Sequence, residues 1–220
     1  MSIYFRVLVV ALVAVVLGCS SETEQSAGGE FEYREGVDFQ TLARPVATDD
    51  PSKIELAEIY WYGCIHCYNF EPYLKDFAAD LPDDVNLVKV PVAWNDLAEL
   101  HAKIYYAAEA LGITDEIHDG VFEAMNRDRK TLASEQAILN LIEDLGQNRA
   151  AFQRAFNSFG VASQVTQSKS RTTAYGVRGT PELVVNGKYR IASTMAGSQP
   201  RMLSVAGALI ERERQLLQTQ

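Results

Sequence analysis

The run Ile54-Glu55-Leu56-Ala57-Glu58-Ile59-Tyr60-Trp61-Tyr62 is short, apolar and rich in aromatic residues, and just beyond it stands Cys64-Ile65-His66-Cys67. From there Tyr68, Phe70, Tyr73, Leu74 and Phe77 recur at helical spacing as far as Ala79. A buried strand that ends on a Cys-x-x-Cys and turns at once into an amphipathic helix admits few architectures. The next apolar stretch, Val85 to Val92, is again strand-like. The unit therefore reads β-α-β, which calls for a parallel pair of strands joined by a right-handed crossover.

Further along, the pattern is helical. Leu97, Leu100, Ile104, Ala108 and Leu111 share one face, and Gly112 follows where a left-handed C-terminal cap belongs. More helices are marked by Thr114 ahead of Ile117, Val121, Phe122 and Met125, by Ser134 ahead of Ile138, Leu141, Ile142 and Leu145, and by Asn148 ahead of Phe152 and Phe156. Val161 to Tyr175 completes a stretch, about 96–175, expected to be helical throughout. Strands return at Glu182 to Val185 and Tyr189 to Ala192, across Asn186-Gly187-Lys188, where Asn-Gly tolerates the positive φ of a hairpin. A last amphipathic helix follows Pro200 through Met202, Val205, Leu209 and Leu216. The expectation is an α/β fold ordered β-α-β, helical insert, β-β-α, forming one domain over residues 31–217 with no internal repeat.

Ahead of that domain, a single charge, Arg6, precedes the apolar run Val7 to Gly18. A membrane-spanning helix needs about twenty apolar residues, whereas roughly seven to fifteen serve a secretory signal, so the run reads as an export signal. It closes on Val16-Leu17-Gly18-Cys19, which resembles the lipobox of bacterial lipoproteins, although Leu17 is bulkier than the small residue usual there. On that reading residues 1–18 are a signal peptide, Cys19 carries the lipid, and the small, polar, acidic residues of 19–30 form a flexible tether. Ordinary signal cleavage or an uncleaved anchor are the alternatives. The net charge of −9, from 20 Lys and Arg against 29 Asp and Glu, argues against a nucleic-acid partner.

The chemistry sits in the cysteine pair. A Cys-x-x-Cys at a strand-to-helix junction places the first sulfur on the helix N-terminus, where unpaired amides and the helix dipole favour an anion. Cys64 is then the nucleophile with a lowered pKa, and Cys67, one turn on, is the more buried resolving thiol. His66 adds to the effect if its imidazole faces the sulfur. A structural zinc site wants four ligands, and beyond this pair only His66, His101 and His118 are on offer, with no second Cys-x-x-Cys. A c-type haem attachment needs histidine at position 68, where Tyr68 stands. An inert structural disulfide is the remaining alternative. His101 and His118 read as surface or packing residues of the insert. In the first strand, alternation puts Glu58 on the face of Leu56 and Tyr60, a carboxylate among apolar side chains that is costly unless paired or used.

Together these residues resemble the bacterial DsbA-type thiol:disulfide oxidoreductases of the thioredoxin superfamily over about residues 31–217. Cys64-Ile65-His66-Cys67 with Tyr68, Phe70 and Glu71 is similar to the family's active-site helix, Gly179-Thr180-Pro181 to its cis-proline loop, and Val185-Asn186-Gly187-Lys188-Tyr189 to the hairpin after it. The resemblance implies a thioredoxin-like fold with an all-helical insertion, and redox chemistry by the Cys64–Cys67 disulfide with no other cofactor and no metal. It maps Glu58 and Lys89 onto a buried acid and lysine near the second cysteine, able to move a proton to or from Cys67, whereas a side chain reaching solvent at a strand edge is the plainer alternative. It makes Thr180 and Pro181 a substrate groove that pairs with extended backbone. Ile65 stands where the family usually has proline, and Thr180 where a β-branched aliphatic residue is usual, so both bear on redox tuning and substrate binding.

The expected activity is donation of the disulfide to unfolded or partly folded exported proteins in the periplasm. A DsbB-like membrane reoxidase would restore the disulfide, and the enzyme would be a monomer held to a membrane through lipidated Cys19. The competing readings are a reductase or isomerase of the same fold, or a non-catalytic binding or chaperone module with a structural disulfide. Isomerases of the superfamily usually carry an N-terminal dimerisation domain, for which residues 20–36 are too short.

Overall fold

A computed structural model describes residues 32–219. The predicted signal peptide, Cys19 and the tether lie outside the described residues. The chain forms β1 (Gln40–Thr41), β2 (Ile54–Tyr60), α1 (Ile65–Ala79) and β3 (Val85–Pro91), followed by five insert helices: α2 (Asp96–Leu111), α3 (Thr114–Asn126), α4 (Glu135–Asp144), α5 (Arg149–Phe156) and α6 (Phe159–Ala174). It closes with β4 (Glu182–Val185), β5 (Tyr189–Ala192), α7 (Ser193–Ala196) and α8 (Gln199–Gln218). The strands lie in the order β1-β5-β4-β2-β3, with β2 and β3 parallel and the other pairs antiparallel.

β2 is buried along its whole length because both sheet faces are covered. On one face Leu56, Leu183, Val185 and Ile191 meet Phe70 and Leu74 of α1 and Met202, Val205 and Leu209 of α8. On the other, Ala57, Ile59, Val90 and Val184 meet Ala98 and Tyr175. The insert has its own core, built from Ile104, Ile117, Val121, Phe122, Ile138, Ile142, Phe152 and Phe156, and this core extends to Tyr60, Tyr62 and Cys67. The second cysteine is thus packed against the insert.

Local chemistry explains the helix boundaries. Asn95, Ser134, Asn148, Ser158 and Ser198 each accept a hydrogen bond from the backbone N–H three residues on, the usual N-cap arrangement. Gly112 closes α2 in the left-handed region. The insert is not helical throughout, because residues 127–134 leave the helix, with Arg129 and Leu132 at positive φ and Leu132 buried. Periodicity gave no sign of β1, a two-residue strand, or of α7, a single turn. The expected apolar face of α8 stops early: Leu216 is exposed, and Glu213 is buried one turn beyond Leu209. Its carboxylate accepts from Asn186 Nδ2 (2.6 Å), Lys188 Nζ (2.6 Å) and Tyr189 Oη (3.0 Å), which ties the hairpin to α8. Among the described residues no helix is long and apolar enough to cross a membrane.

The hairpin turn is as the Asn-Gly pair requires, with Asn186 at φ 50 and Gly187 at φ 61. A Cβ on Gly187 would fall on the carbonyl oxygen of Val46, while Val46 N–H donates to Gly187 O at 2.8 Å. Gly187→Ala is therefore expected to destabilise the domain by more than about 1 kcal/mol, read as a lower denaturant midpoint with unchanged slope. A midpoint equal to the parent's would contradict this packing.

Candidate active site

β2 ends at Tyr60, and Cys64 occupies the N-cap of α1 in an extended conformation, which puts its sulfur at the helix end where the first-turn amides are free, although its side chain makes no capping hydrogen bond. Both cysteines are free thiols; Cys64 is half-buried and Cys67 fully buried. The Cys64 thiol is held down to about 5. The Cys67 thiol donating to the Cys64 sulfur is the largest cause, and the Thr180 side chain and the backbone N–H groups of Cys67 and His66 add to it against the cost of burial. The Cys67 thiol moves the other way, well above its ordinary value, first through burial and then through its bond to Cys64 and that sulfur's charge. One sulfur ionises easily and its neighbour does not.

Thr180 approaches from the loop before β4, where the Thr180–Pro181 peptide is cis, and in the thiol form Cys64 Sγ donates to Thr180 O at 3.4 Å. That contact favours the protonated sulfur and turns repulsive on ionisation, so the amides and the Cys67 thiol must outweigh it. Ile65 is the first residue of α1, half-exposed beside the sulfur. His66 is exposed, and what it brings to the sulfur is its backbone N–H rather than the imidazole the sequence pointed to.

Beneath α1 lies a buried charged cluster. The parallel register sets Glu58 beside Lys89, whose Nζ donates to Glu58 Oε2 at 2.6 Å and to Glu71 Oε1 at 2.8 Å. Glu71 also accepts from His118 Nε2 at 3.2 Å, and His118 Nδ1 lies 2.8 Å from Tyr62 Oη. Burial pushes Glu58 up to about 7, against the pull of Lys89. Glu71 stays well below the usual carboxylate range, because His118 and Lys89 overcome its burial. Burial lowers the His118 pKa and raises that of Tyr62 far above its ordinary value. A neutral imidazole with its proton on Nε2, accepting from the tyrosine hydroxyl at Nδ1, satisfies both contacts. Glu71 stands one helical turn after Cys67 on the same face of α1, and Tyr62 shares the core cluster of Cys67.

The structure thus brings Cys64, Ile65, His66, Cys67 and Thr180 together, with Pro181 next in the same loop, and joins Glu58 to Lys89 below them. Sequence reasoning missed Glu71 as a member of the cluster and treated His118 as a bland residue of the insert. The signals were present. Glu71 falls four residues after Cys67, and His118 lies on the stripe of Ile117, Val121 and Phe122, with Phe122 one turn away. His101 is a packing residue: Trp61 Nε1 donates to its Nδ1 at 3.0 Å, its Nε2 meets Thr131 O at 3.2 Å, and the two rings stack. This holds the indole over Gly63, where any Cβ would collide with it. Among the described residues no three His, Cys, Asp or Glu side chains are grouped to hold a metal.

Removing Lys89 would leave two buried carboxylates without their cation. Lys89→Met is expected to cost about 3–5 kcal/mol at pH about 8. A carboxyl whose folded pKa lies above its unfolded value contributes stability below the unfolded value and loses it as pH rises through the folded one. Glu58 is raised from 4.5 to about 7, so the Lys89→Met penalty should shrink on acidification towards pH about 5. Denaturant unfolding at the two pH values checks this, and a penalty independent of pH would show that Glu58 does not take the proton.

Comparison with known proteins places this geometry. The DSBA-like thioredoxin domain model matches residues 74–206. The thiol:disulfide interchange protein DsbA of Pseudomonas aeruginosa PAO1 is 36% identical over 183 residues, covering 83% of this chain and 87% of that protein. The protein of the same name from Azotobacter vinelandii is 36% identical over 198 residues, covering 90% and 91%. The crystal structure of Pseudomonas aeruginosa DsbA superposes with a TM-score of 0.82 at 35% identity, over 84% of this chain and 97% of that one. With a thioredoxin-like sheet, a helical insertion and a cysteine pair at the head of α1, the chain belongs to the DsbA family of thiol:disulfide oxidoreductases.

Proposed function

We propose that the enzyme donates a Cys64–Cys67 disulfide to exported proteins through a mixed disulfide. A substrate thiolate attacks Cys64 Sγ, the Cys64–Cys67 bond breaks, and Cys67 leaves and takes up a proton. A second substrate thiolate then attacks the substrate sulfur of the mixed disulfide, closing the substrate's disulfide and releasing Cys64 as a thiolate. Two electrons pass to the enzyme. The observation that carries this direction is the opposite displacement of the two thiols: Cys64 leaves easily as an anion, which stabilises the reduced form and makes the disulfide oxidising. An inert structural disulfide has no need of that asymmetry. Nor does the favoured thiolate recommend the reductase reading, which requires a pair that prefers to be oxidised.

Each remaining residue has a role in this reading. Cys67 needs a proton when it leaves, and Glu58, raised to about 7 and paired with Lys89, is suited to exchange one near neutral pH. Thr180 and Pro181 form the edge over which substrate backbone passes, supported by the 3.4 Å approach of Thr180 O to Cys64 Sγ. Ile65 offers an apolar side chain at the rim, and His66 tunes the sulfur. No cofactor beyond the cysteine pair is called for.

The apolar run ending at Cys19 fits export to the periplasm, an oxidising compartment, with lipidation of Cys19 holding the folded domain of residues 31–217 to a membrane by the tether of residues 19–30. A DsbB-like membrane reoxidase would take the two electrons from the dithiol, and the enzyme would act as a monomer. In a test with a reduced, unfolded exported protein, the oxidised enzyme is expected to form substrate disulfides. Cys64→Ser should abolish the reaction, and Cys67→Ser, with its remaining thiol activated as a mixed disulfide, should accumulate a covalent adduct with substrate visible on a non-reducing gel. Absence of any adduct with Cys67→Ser, or full activity of Cys64→Ser, would overturn the proposal.

A further inference from the structure

The helix that closes the sheet touches the active-site turn. Gly197, at φ 81, ends α7, Ser198 caps α8, and Gln199 is the first residue of α8. From this corner Gln199 Nε2 donates to the backbone oxygen of His66 at 2.6 Å. That oxygen belongs to the peptide group joining His66 to Cys67, whose N–H is one of the free first-turn amides of α1 that favour the Cys64 anion. The Gln199 contact and that N–H lie on opposite ends of one planar amide. A donor at the oxygen draws electron density towards it and strengthens the N–H as a donor, by about 10–30% per bond in a hydrogen-bonded chain. It also fixes the plane of the peptide, and so the direction of the N–H.

We infer that Gln199 is a positioning residue for the redox site, which acts on the Cys64 sulfur through the His66–Cys67 peptide. The inference rests on Cys64 being the reactive thiolate, as proposed above. Gln199 forms a chain of three parts: side-chain amide, backbone amide, sulfur anion. Its direction is fixed, because the carboxamide must present N–H to a carbonyl that is already an acceptor within α1. Nothing in the Cys-x-x-Cys itself supplies this contact. It comes from more than 130 residues along the chain, so α8 bears on the sulfur as well as on the core. The side chain lines a groove of about 1010 Å3 alongside α1, with Tyr68, Asn69 and Tyr73, and its replacement therefore leaves the packed core intact.

The test is a pH titration of the Cys64 thiolate, followed by its ultraviolet absorbance, in the reduced parent enzyme and in Gln199→Ala, Gln199→Glu and Gln199→Lys. Loss of the donor in Gln199→Ala is expected to raise the proton affinity of Cys64 about twofold. Gln199→Glu, which accepts only and brings a negative charge to the turn, should raise it further. Gln199→Lys restores a donor and should return the midpoint to the parent value or below. The amide proton of Cys67 should shift in the nuclear magnetic resonance spectrum of Gln199→Ala, a readout that a merely structural strap would not move. Identical midpoints in the parent, Gln199→Ala and Gln199→Glu would overturn the inference, and so would a change in thermal stability alone. The parent midpoint tests the proposed role of Cys64 separately, since a high parent value refutes that role whatever the variants do.

Discussion

The central interaction is a sulfur anion held at the start of a helix. The thiol of Cys67, the side chain of Thr180 and the amides of His66 and Cys67 favour the Cys64 anion, and together these outweigh partial burial and the nearby carbonyl of Thr180. Each donor comes from a different feature of the fold. The amides need α1 to begin at Ile65, directly after β2; the Thr180 contact needs the loop before β4; and the Cys67 thiol needs a position one turn inside the helix, against the insert core. A shift in any of these elements would leave the charge less well solvated. The sheet and its flanking helices serve to hold one atom in place.

The insert does more than add bulk. Its core buries Cys67 and so raises the cost of a second anion beside the first. Through His118 it also reaches Glu71, and with Lys89 it keeps that carboxylate charged while Glu58 is left near neutrality. Two acids within reach of one lysine thus take different protonation states because only one of them has a second donor. Trp61 follows the same pattern on the other side, where His101 of α2 holds the indole over Gly63 next to Cys64.

Much of this was legible in the chain. The β-α-β unit, the Asn-Gly hairpin, Gly112 as a left-handed cap and the Ser and Asn helix starts all follow from local rules that tertiary contacts had no reason to override. The placement of the cysteine pair at the head of α1 was legible because a Cys-x-x-Cys directly after a buried strand and before an amphipathic run falls at a strand-helix junction. What could not be read depended on contacts distant in sequence. β1 is too short for periodicity to register, Glu213 is buried by partners in the hairpin, and Glu71 and His118 acquire their roles only when α1 and α3 meet over β3. The contribution of His66 differs for a similar reason: sequence shows its imidazole, which bears on the sulfur only if it faces it, while in the structure the side chain is exposed and the backbone amide is what favours the Cys64 anion.

The equilibrium of the cysteine pair with glutathione, measured as a function of pH, tests the account most directly. Reduction of the disulfide by protonated glutathione releases one proton if Cys64 emerges as a thiolate. The equilibrium constant for reduction should therefore rise roughly tenfold per pH unit above about 5 and level off below it. A constant that stays flat from pH about 5 to about 8 would mean that Cys64 keeps its proton across that range, which contradicts the account.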